Sequence, residues 1–320
     1  MSRTAIIVLN WNRPDLTLEC LGSLRSLTLP EDHDTCIFLC DNASRDDSIA
    51  RFRAWGRRHF PRAVPPEQAR FLLFRTAANL GYAGGNNAAI RWALKLGFDY
   101  IWLLNNDTWV FPDALEHLLA AARCAQAGCF GATLLEKEAP EIVQCAGGYR
   151  LDPWTTWIRA AHAGRRYADV VAAPEPALDY IAGAAMFVPA AVFRQVGLFN
   201  ESFFLYYEEA DFARRLRKAG YRLVWCRWAR VLHAGGASMS TTAFSHYHEN
   251  LSTLRYLWQH HRNVFPVAAA FRLLAKGLYL PLDRRSHLLP SLLAAYRDFR
   301  PCRHRERAPE AELCLSASVP

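Results

Sequence analysis

The sequence predicts an α/β fold with a mostly parallel central sheet, followed by a C-terminal helical extension. Three observations predict it. First, Ala5–Asn10, Cys36–Cys40, Phe71–Phe74 and the opening of the stretch Tyr100–Thr108 are short apolar runs without alternation, the pattern of strands buried on both faces. Second, each run ends in, or is soon followed by, Asn or Asp: Asn10 and Asn12, Asp41 and Asn42, Asn79, then Asn105, Asn106 and Asp107. Asn and Asp are common turn formers, so a turn competes at any one of these places. Third, helical patterns separate the runs, and βαβ units of this kind gather their strand ends along one edge, where open α/β sheets bind ligands.

The elements follow in order. Pro14 suits a first helical turn, and Leu16, Cys20, Leu24 and Leu27 recur at helical spacing. The basic stretch Arg51–Arg70, with Arg57, Arg58, His59 and Arg62, reads as a solvated helix end and loop. Asn87–Leu96 reads as a helix stopped by Gly97, and Pro112–Ala127 as another. Cys129–Leu135 is a strand, and Glu136–Pro176 is a loop or hairpin insertion carrying Trp154 and Trp157. A strand at Ala184–Val188 precedes Pro189, which opens a helix. Phe203–Gly220 reads as one helix, acidic at its start and basic at its end as the helix dipole prefers, with Asp211 and Arg215 spaced to pair. Tyr221–Cys226 is a strand, and His233 follows in a Gly-rich stretch.

The chain divides into an α/β domain over residues 1–240, a helical extension over 241–300 and a polar, disordered tail over 301–320. The segment Phe244–Tyr296 has apolar faces beside Arg and Lys. Packing helices and helices lying on an anionic membrane both fit it, because amphipathicity does not separate them.

The chain has 320 residues, 52% hydrophobic and 21% charged, a globular composition and not a disordered one. No apolar run reaches the roughly 18 residues of a membrane span, and a signal peptide is not expected ahead of so early a strand. A cytoplasmic protein, peripheral at the inner face of the membrane if the helices bind there, is the expectation. The nine cysteines contain no Cys-x-x-Cys and read as reduced thiols, with Cys36 and Cys40 packed in a strand. The net charge of +8 admits an anionic partner. A non-catalytic membrane or nucleic-acid binder and a nucleotidyltransferase are therefore alternatives to be weighed.

Seven segments, in order, carry a resemblance: Ile6–Asn12 (IIVLNWN), Cys40–Ser44 (CDNAS), Asn79–Asn87 (NLGYAGGNN), Leu103–Thr108 (LLNNDT), Gly197–Phe204 (GLFNESFF), Tyr207–Phe212 (YEEADF) and His233. Over residues 4–240 the chain resembles the inverting family 2 glycosyltransferases of the GT-A fold, and among them the bacterial rhamnosyltransferases of cell-surface polysaccharide synthesis. The resemblance implies a sugar transferase using a nucleoside diphosphate donor, dTDP- or UDP-linked and with rhamnose favoured. The implied acceptor is a glycan or lipid-linked glycan. No nucleic-acid partner is expected, and the sequence leaves the oligomeric state open.

The family's metal motif aligns with Asn105-Asn106-Asp107, an amide replacing the first carboxylate. Asp107 then carries the metal duty, with Mg²⁺ or Mn²⁺ suited to oxygen ligands and a diphosphate. By resemblance His233 is a further ligand or a diphosphate contact. The family's Glu-Asp pair aligns with Glu208-Glu209, and Glu209 holds the position of the base that deprotonates the acceptor. Glu208 and Asp211 then bind acceptor or order the helix. Donor contacts are expected from Asn10, Asn12, Asp41 (to N3–H of the base), Asn79, Asn87, Asn105 and Asn106, with Gly81, Gly84 and Gly85 admitting close approach of backbone to ligand. No Gly-x-Gly-x-x-Gly follows the first strand, which weakens a dinucleotide-binding reading.

Overall fold

The computed structural model describes residues 1–61, 64–124, 126–235, 242–301 and 311–316. The expected strands form as β1 (Ser2–Asn10), β2 (His33–Asp41), β3 (Phe71–Arg75) and β4 (Tyr100–Asn105), all parallel in the order β3-β2-β1-β4. β5 (Thr108–Val110), β6 (Ala127–Glu136), β7 (Val143–Ala146), β8 (Gly148–Leu151), β9 (Ile158–Ala160), β10 (Tyr180–Ile181), β11 (Ala185–Pro189), β12 (Arg222–His233) and β13 (Glu312–Ser316) follow. The main sheet runs β13-β3-β2-β1-β4-β11-β6-β12-β5, with β7 on β6; β10-β8-β9 form a separate sheet. β11 is antiparallel to both β4 and β6.

The helices are α1 (Pro14–Leu24), α2 (Ser48–His59), α3 (Gly81–Lys95), α4 (Ala114–Cys124), α5 (Tyr167–Val170), α6 (Ala190–Val196), α7 (Glu208–Lys218), α8 (Ala243–His260), α9 (Phe265–Leu282) and α10 (Leu289–Asp298). Both sheet faces are buried, which is why β1 to β4 lack alternation: Ile6, Val8 and Trp102 pack on one side, Ile7, Phe38 and Leu103 on the other. Cys36 and Cys40 are buried among them, and burial pushes both thiols upward.

Several expectations are corrected. α3 begins at Gly81 and not Asn87: the Gly-rich stretch that resembles a turn is helix, its small residues letting α3 close on β1. α7 begins at Glu208 and not Phe203, because Tyr206 and Tyr207 take positive φ. β12 runs on to His233, past a bulge after Cys226, so His233 ends a strand. The 136–176 insertion contains β7, β8, β9 and α5. The basic stretch is α2 and a following loop, with Arg62 outside the described residues. The tail is not wholly without structure: β13 pairs with β3, while 302–310 and 317–320 lie outside the described residues. Finally, α9 is 18 residues long and apolar enough by length and composition to cross a membrane, despite Arg272 and Lys276.

Candidate active site

The carboxyl ends of β1, β2 and β4 meet as expected. Asn10 is fully buried; its Nδ2 donates to Asp41 Oδ1 (2.9 Å) and Ser44 Oγ (3.0 Å), and its Oδ1 accepts from Thr17 (2.7 Å). Asn106 Nδ2 donates to Thr17 Oγ1 at 3.0 Å, so one network joins the β1, β2 and β4 ends. Asp41 Oδ2 accepts from the Ser44 amide (3.0 Å) and lies 3.8 Å from Arg75 Nε. Asn12, at φ 53°, accepts from the Arg45 amide (2.8 Å). These groups are first a scaffold: both Asp41 oxygens already accept a hydrogen bond.

Other predicted contacts are placed differently. Asn79 Oδ1 accepts from Asn42 (2.9 Å) and from the Gly81 amide (2.9 Å), which fixes the entry to α3. Gly81 has φ +70°, and a Cβ there would meet the Phe204 carbonyl oxygen at 2.0 Å; one on Gly85 would meet Leu9 at 2.6 Å. These glycines admit protein against protein. Gly84 is buried within α3. Asn87 Nδ2 donates to Phe199 O (2.9 Å) and Glu201 Oε1 (2.8 Å), so it fastens the 197–204 loop and does not face the strand ends.

Asp107 sits in the turn between β4 and β5, and β12 delivers His233 beside it. Asp107 Oδ1 and His233 Nε2 lie 3.3 Å apart, both buried, and neither has a hydrogen-bond partner among the described residues. His233 Nδ1 is 2.6 Å from Gln144 Oε1, and Gln144 Nε2 donates to Glu136 at 3.2 Å. The amide oxygen therefore faces the imidazole, so Nδ1 is the donor there, and in the neutral ring Nε2 is an acceptor turned to the carboxylate. Two electron-pair donors facing each other repel unless a proton or a metal cation lies between them, and a carboxylate oxygen with an imidazole nitrogen is a donor set that fits a divalent metal. No group of three or more His, Cys, Asp or Glu suited to a metal occurs among the described residues; remaining ligands would come from a phosphate-bearing ligand or water.

Glu208 and Glu209 open α7. Tyr206 (φ 69°) and Tyr207 (φ 70°) precede them in the left-handed region, strain of the kind that collects at functional sites. Glu209 is half-buried, its Oε1 directly over Gly183, where an added Cβ would come within 2.1 Å. The next residue, Ala184, accepts from the Asn105 amide (3.0 Å), which sets the carboxylate beside the metal motif. Burial pushes Glu209 up to about 7. Glu208 is buried, and burial followed by the Glu209 charge raises it well above the usual range. The Tyr82 hydroxyl donates to the Gly183 carbonyl (2.8 Å) and feels Glu209, Glu208 and Asp107 in turn. Asp211 is elsewhere: it bonds Arg215 (2.9 Å) and His260 of α8 (2.7 Å). Burial would raise its pKa, but those partners hold it below the ordinary value. It orders the helix and is not available to an acceptor.

Tyr82, Gln144, Gly183, Thr17 and Ser44 join the site without having stood out individually in the sequence. Tyr82 and Ser44 fall inside the segments carrying the resemblance; Gln144, on β7, and Gly183, in the turn between β10 and β11, have no local signal.

Comparison with known proteins agrees with this geometry. The model of "Glycosyl transferase family 2" matches residues 5–163, and that of "Glycosyl transferase family group 2" matches 100–294. An N-acetylglucosaminyl-diphospho-decaprenol L-rhamnosyltransferase of Mycobacterium tuberculosis is 27% identical over 249 residues, covering 70% of this chain and 74% of that protein. The low-salt glycan biosynthesis hexosyltransferase Agl10 of Haloferax volcanii is 26% identical over 164 residues, 49% of this chain and 50% of that one. Among solved structures, the mannosyltransferase PcManGT of Pyrobaculum calidifontis, in complex with GDP-Man and Mn²⁺, superposes with a TM-score of 0.55 at 15% identity, covering 92% of this chain and 86% of that one. Residues 1–349 of S. aureus TarS, in complex with UDP-GlcNAc, give 0.56 at 13% identity, covering 93% and 80%. The fold is of the GT-A type, and family membership displaces both the nucleotidyltransferase and the non-catalytic binder: the chain belongs to glycosyltransferase family 2 and is a glycosyltransferase.

Proposed function

We propose that this enzyme moves a hexose, with rhamnose favoured, from a nucleoside diphosphate onto a hydroxyl of a glycan or lipid-linked glycan, with inversion and a divalent cation. The observation that carries the reading is the Asp107–His233 pair, 3.3 Å apart with Oδ1 and Nε2 unpartnered among the described residues. Mg²⁺ or Mn²⁺ there would neutralise the diphosphate as it leaves. The rhamnosyl preference is supported by the likeness to the mycobacterial enzyme, whose name also supplies the lipid diphosphate acceptor. Relatives in fold that carry GDP-Man with Mn²⁺ or UDP-GlcNAc support a nucleotide sugar.

The nucleotide lies across the β1, β2 and β4 ends, over Asn12, Asn105 and Asn106. Glu209 takes the proton from the acceptor hydroxyl as that oxygen bonds to the anomeric carbon and the sugar–phosphate bond breaks. Its carboxylate lies over Gly183 and is half-buried, whereas Glu208 is enclosed; this supports Glu209 over its neighbour. A soluble nucleotide donor fits action on the cytoplasmic side. Calorimetry with UDP-, dTDP- and GDP-sugars, with and without Mn²⁺, tests the reading. Metal-dependent binding that Asp107→Ala abolishes in a folded protein is expected; binding indifferent to metal and to that substitution refutes the metal site.

A further inference from the structure

The outward face of α9 is apolar along its length. Val267, Phe271, Leu274, Leu278 and Leu282 recur at helical spacing and stand exposed, Leu274 at 68%, Leu278 at 70% and Leu282 at 83%. The helix's two charged side chains point the other way. Arg272 is buried and donates to Asn250 (3.0 Å), Thr156 (2.6 Å) and Glu249 (2.6 Å); Lys276 Nζ lies 2.9 Å from Glu249 Oε2. A helix facing water would turn its cations out and its leucines in. This one buries Leu280 but turns Leu274, Leu278 and Leu282 out and both cations in, where one carboxylate answers them.

We propose that this face is a docking surface for an anionic lipid bilayer, with α9 lying flat in the headgroup boundary. Contiguous exposed apolar faces mark interaction sites. Exposed Arg262 precedes the stripe, and exposed Arg284 and Arg285 follow it, Arg285 being paired with Asp283 at 3.2 Å. Cations at both ends of an apolar stripe suit anionic headgroups, whereas a second copy packed antiparallel would bring like charges together. The 152–157 loop abuts α9 through the Arg272–Thr156 bond and holds Trp154 and Trp157 exposed; tryptophan favours the membrane–water boundary. At a rise of about 1.5 Å per residue α9 is long enough to span, but the Glu249 cluster ties its inner side to α8 and to the folded domain. It lies on the bilayer and does not cross it. The inference stands on the packing of α9, independently of the acceptor proposed above.

The test is co-sedimentation of the full chain with vesicles of phosphatidylcholine alone, or of phosphatidylcholine with phosphatidylglycerol, at low and high salt. The wild type is expected to prefer the anionic vesicles and to lose them with salt. The double substitution Leu274→Glu with Leu278→Glu is expected to weaken binding about tenfold or more, by removing apolar burial and adding repulsion, with melting temperature and metal-dependent nucleotide binding unchanged. Three results overturn the proposal: no wild-type binding to anionic vesicles at low salt, equal binding by the double variant, or a wild-type dimer in sedimentation velocity that the double variant dissolves.

Discussion

Two residue pairs carry the proposed chemistry, and each is held in a state that costs stability. Glu209 sits at about 7 because burial disfavours its charge. A base poised near neutrality is what proton abstraction needs. Glu209→Gln is therefore expected to lower kcat on the order of 10²-fold or more with donor binding retained, and the acid limb of the wild-type kcat/KM profile should fall near pH 7. The same shift predicts stability of the opposite sign. The folded protein holds this proton more tightly than the unfolded chain, so the associated stability is full below the ordinary value of 4.5 and is lost as pH rises through about 7. Thermal melts should place Glu209→Gln above the wild type at pH 8 and level with it at pH 4; a variant that melts lower at pH 8 would contradict the burial argument. The place of Asp107 just past a strand end was legible in the sequence, whereas Glu209 stood out only through the Tyr207–Phe212 segment that carries the resemblance, and its place at a helix start emerges from the fold. The role of Asn87 was not legible, since an amide in a family segment reads alike whether it faces a ligand or, as here, Glu201; for Asp211 the i,i+4 spacing foretold Arg215 but nothing local foretold His260.

Among the elements, strands buried on both faces were read nearly to their ends, because uninterrupted apolar runs have few other uses. The boundaries of α3 and α7 were not, for a shared physical reason. Both depend on left-handed residues, Gly81 for one and Tyr206 and Tyr207 for the other, and propensity does not foresee a bulky residue at positive φ that tertiary contacts impose. Of the short strands, β8 and β9 form a hairpin inside the insertion read as a loop or hairpin, whereas β7 and β10 have no local signal and pair with β6 and β8. Gly81 supplies the test at this scale. It combines positive φ with contact against the Phe204 carbonyl, so Gly81→Ala must shift the chain just ahead of Glu208. A loss of about 2 kcal/mol or more in urea unfolding is expected, since Ala is strained at positive φ and meets backbone. Activity should fall with it, because the displaced segment leads into the base. Unchanged stability would mean that α3 and the 197–204 loop move apart freely.

Across the whole molecule, the C-terminal helices are fastened to the catalytic domain by buried polar groups. His260 of α8 meets Asp211 of α7, Arg272 of α9 meets Thr156 of the 152–157 loop, and Glu249 receives both Arg272 and Lys276. The sequence left packing and membrane readings of these helices open; in α9 the inner side packs and the outer side is apolar and bare. Glu249 decides whether the inner side holds. Burial would raise its pKa, but Arg272 and then Lys276 outweigh that and hold it at about 2. Removing it strands two inward cations, and breaking such a pair typically costs about 3–5 kcal/mol. Glu249→Ala is expected to lose about 3 kcal/mol, the low end, because the carboxylate keeps some contact with water. The pH dependence has a definite sign. A carboxylate with a depressed folded pKa gives stability that is present above its ordinary value of 4.5 and lost as pH falls through about 2. Urea unfolding at pH 7, 4.5 and 3 should show the gap between wild type and Glu249→Ala wide at the first two and narrower at the last. A gap that stays constant across the three would show that the ion pairs do not hold α9 in place.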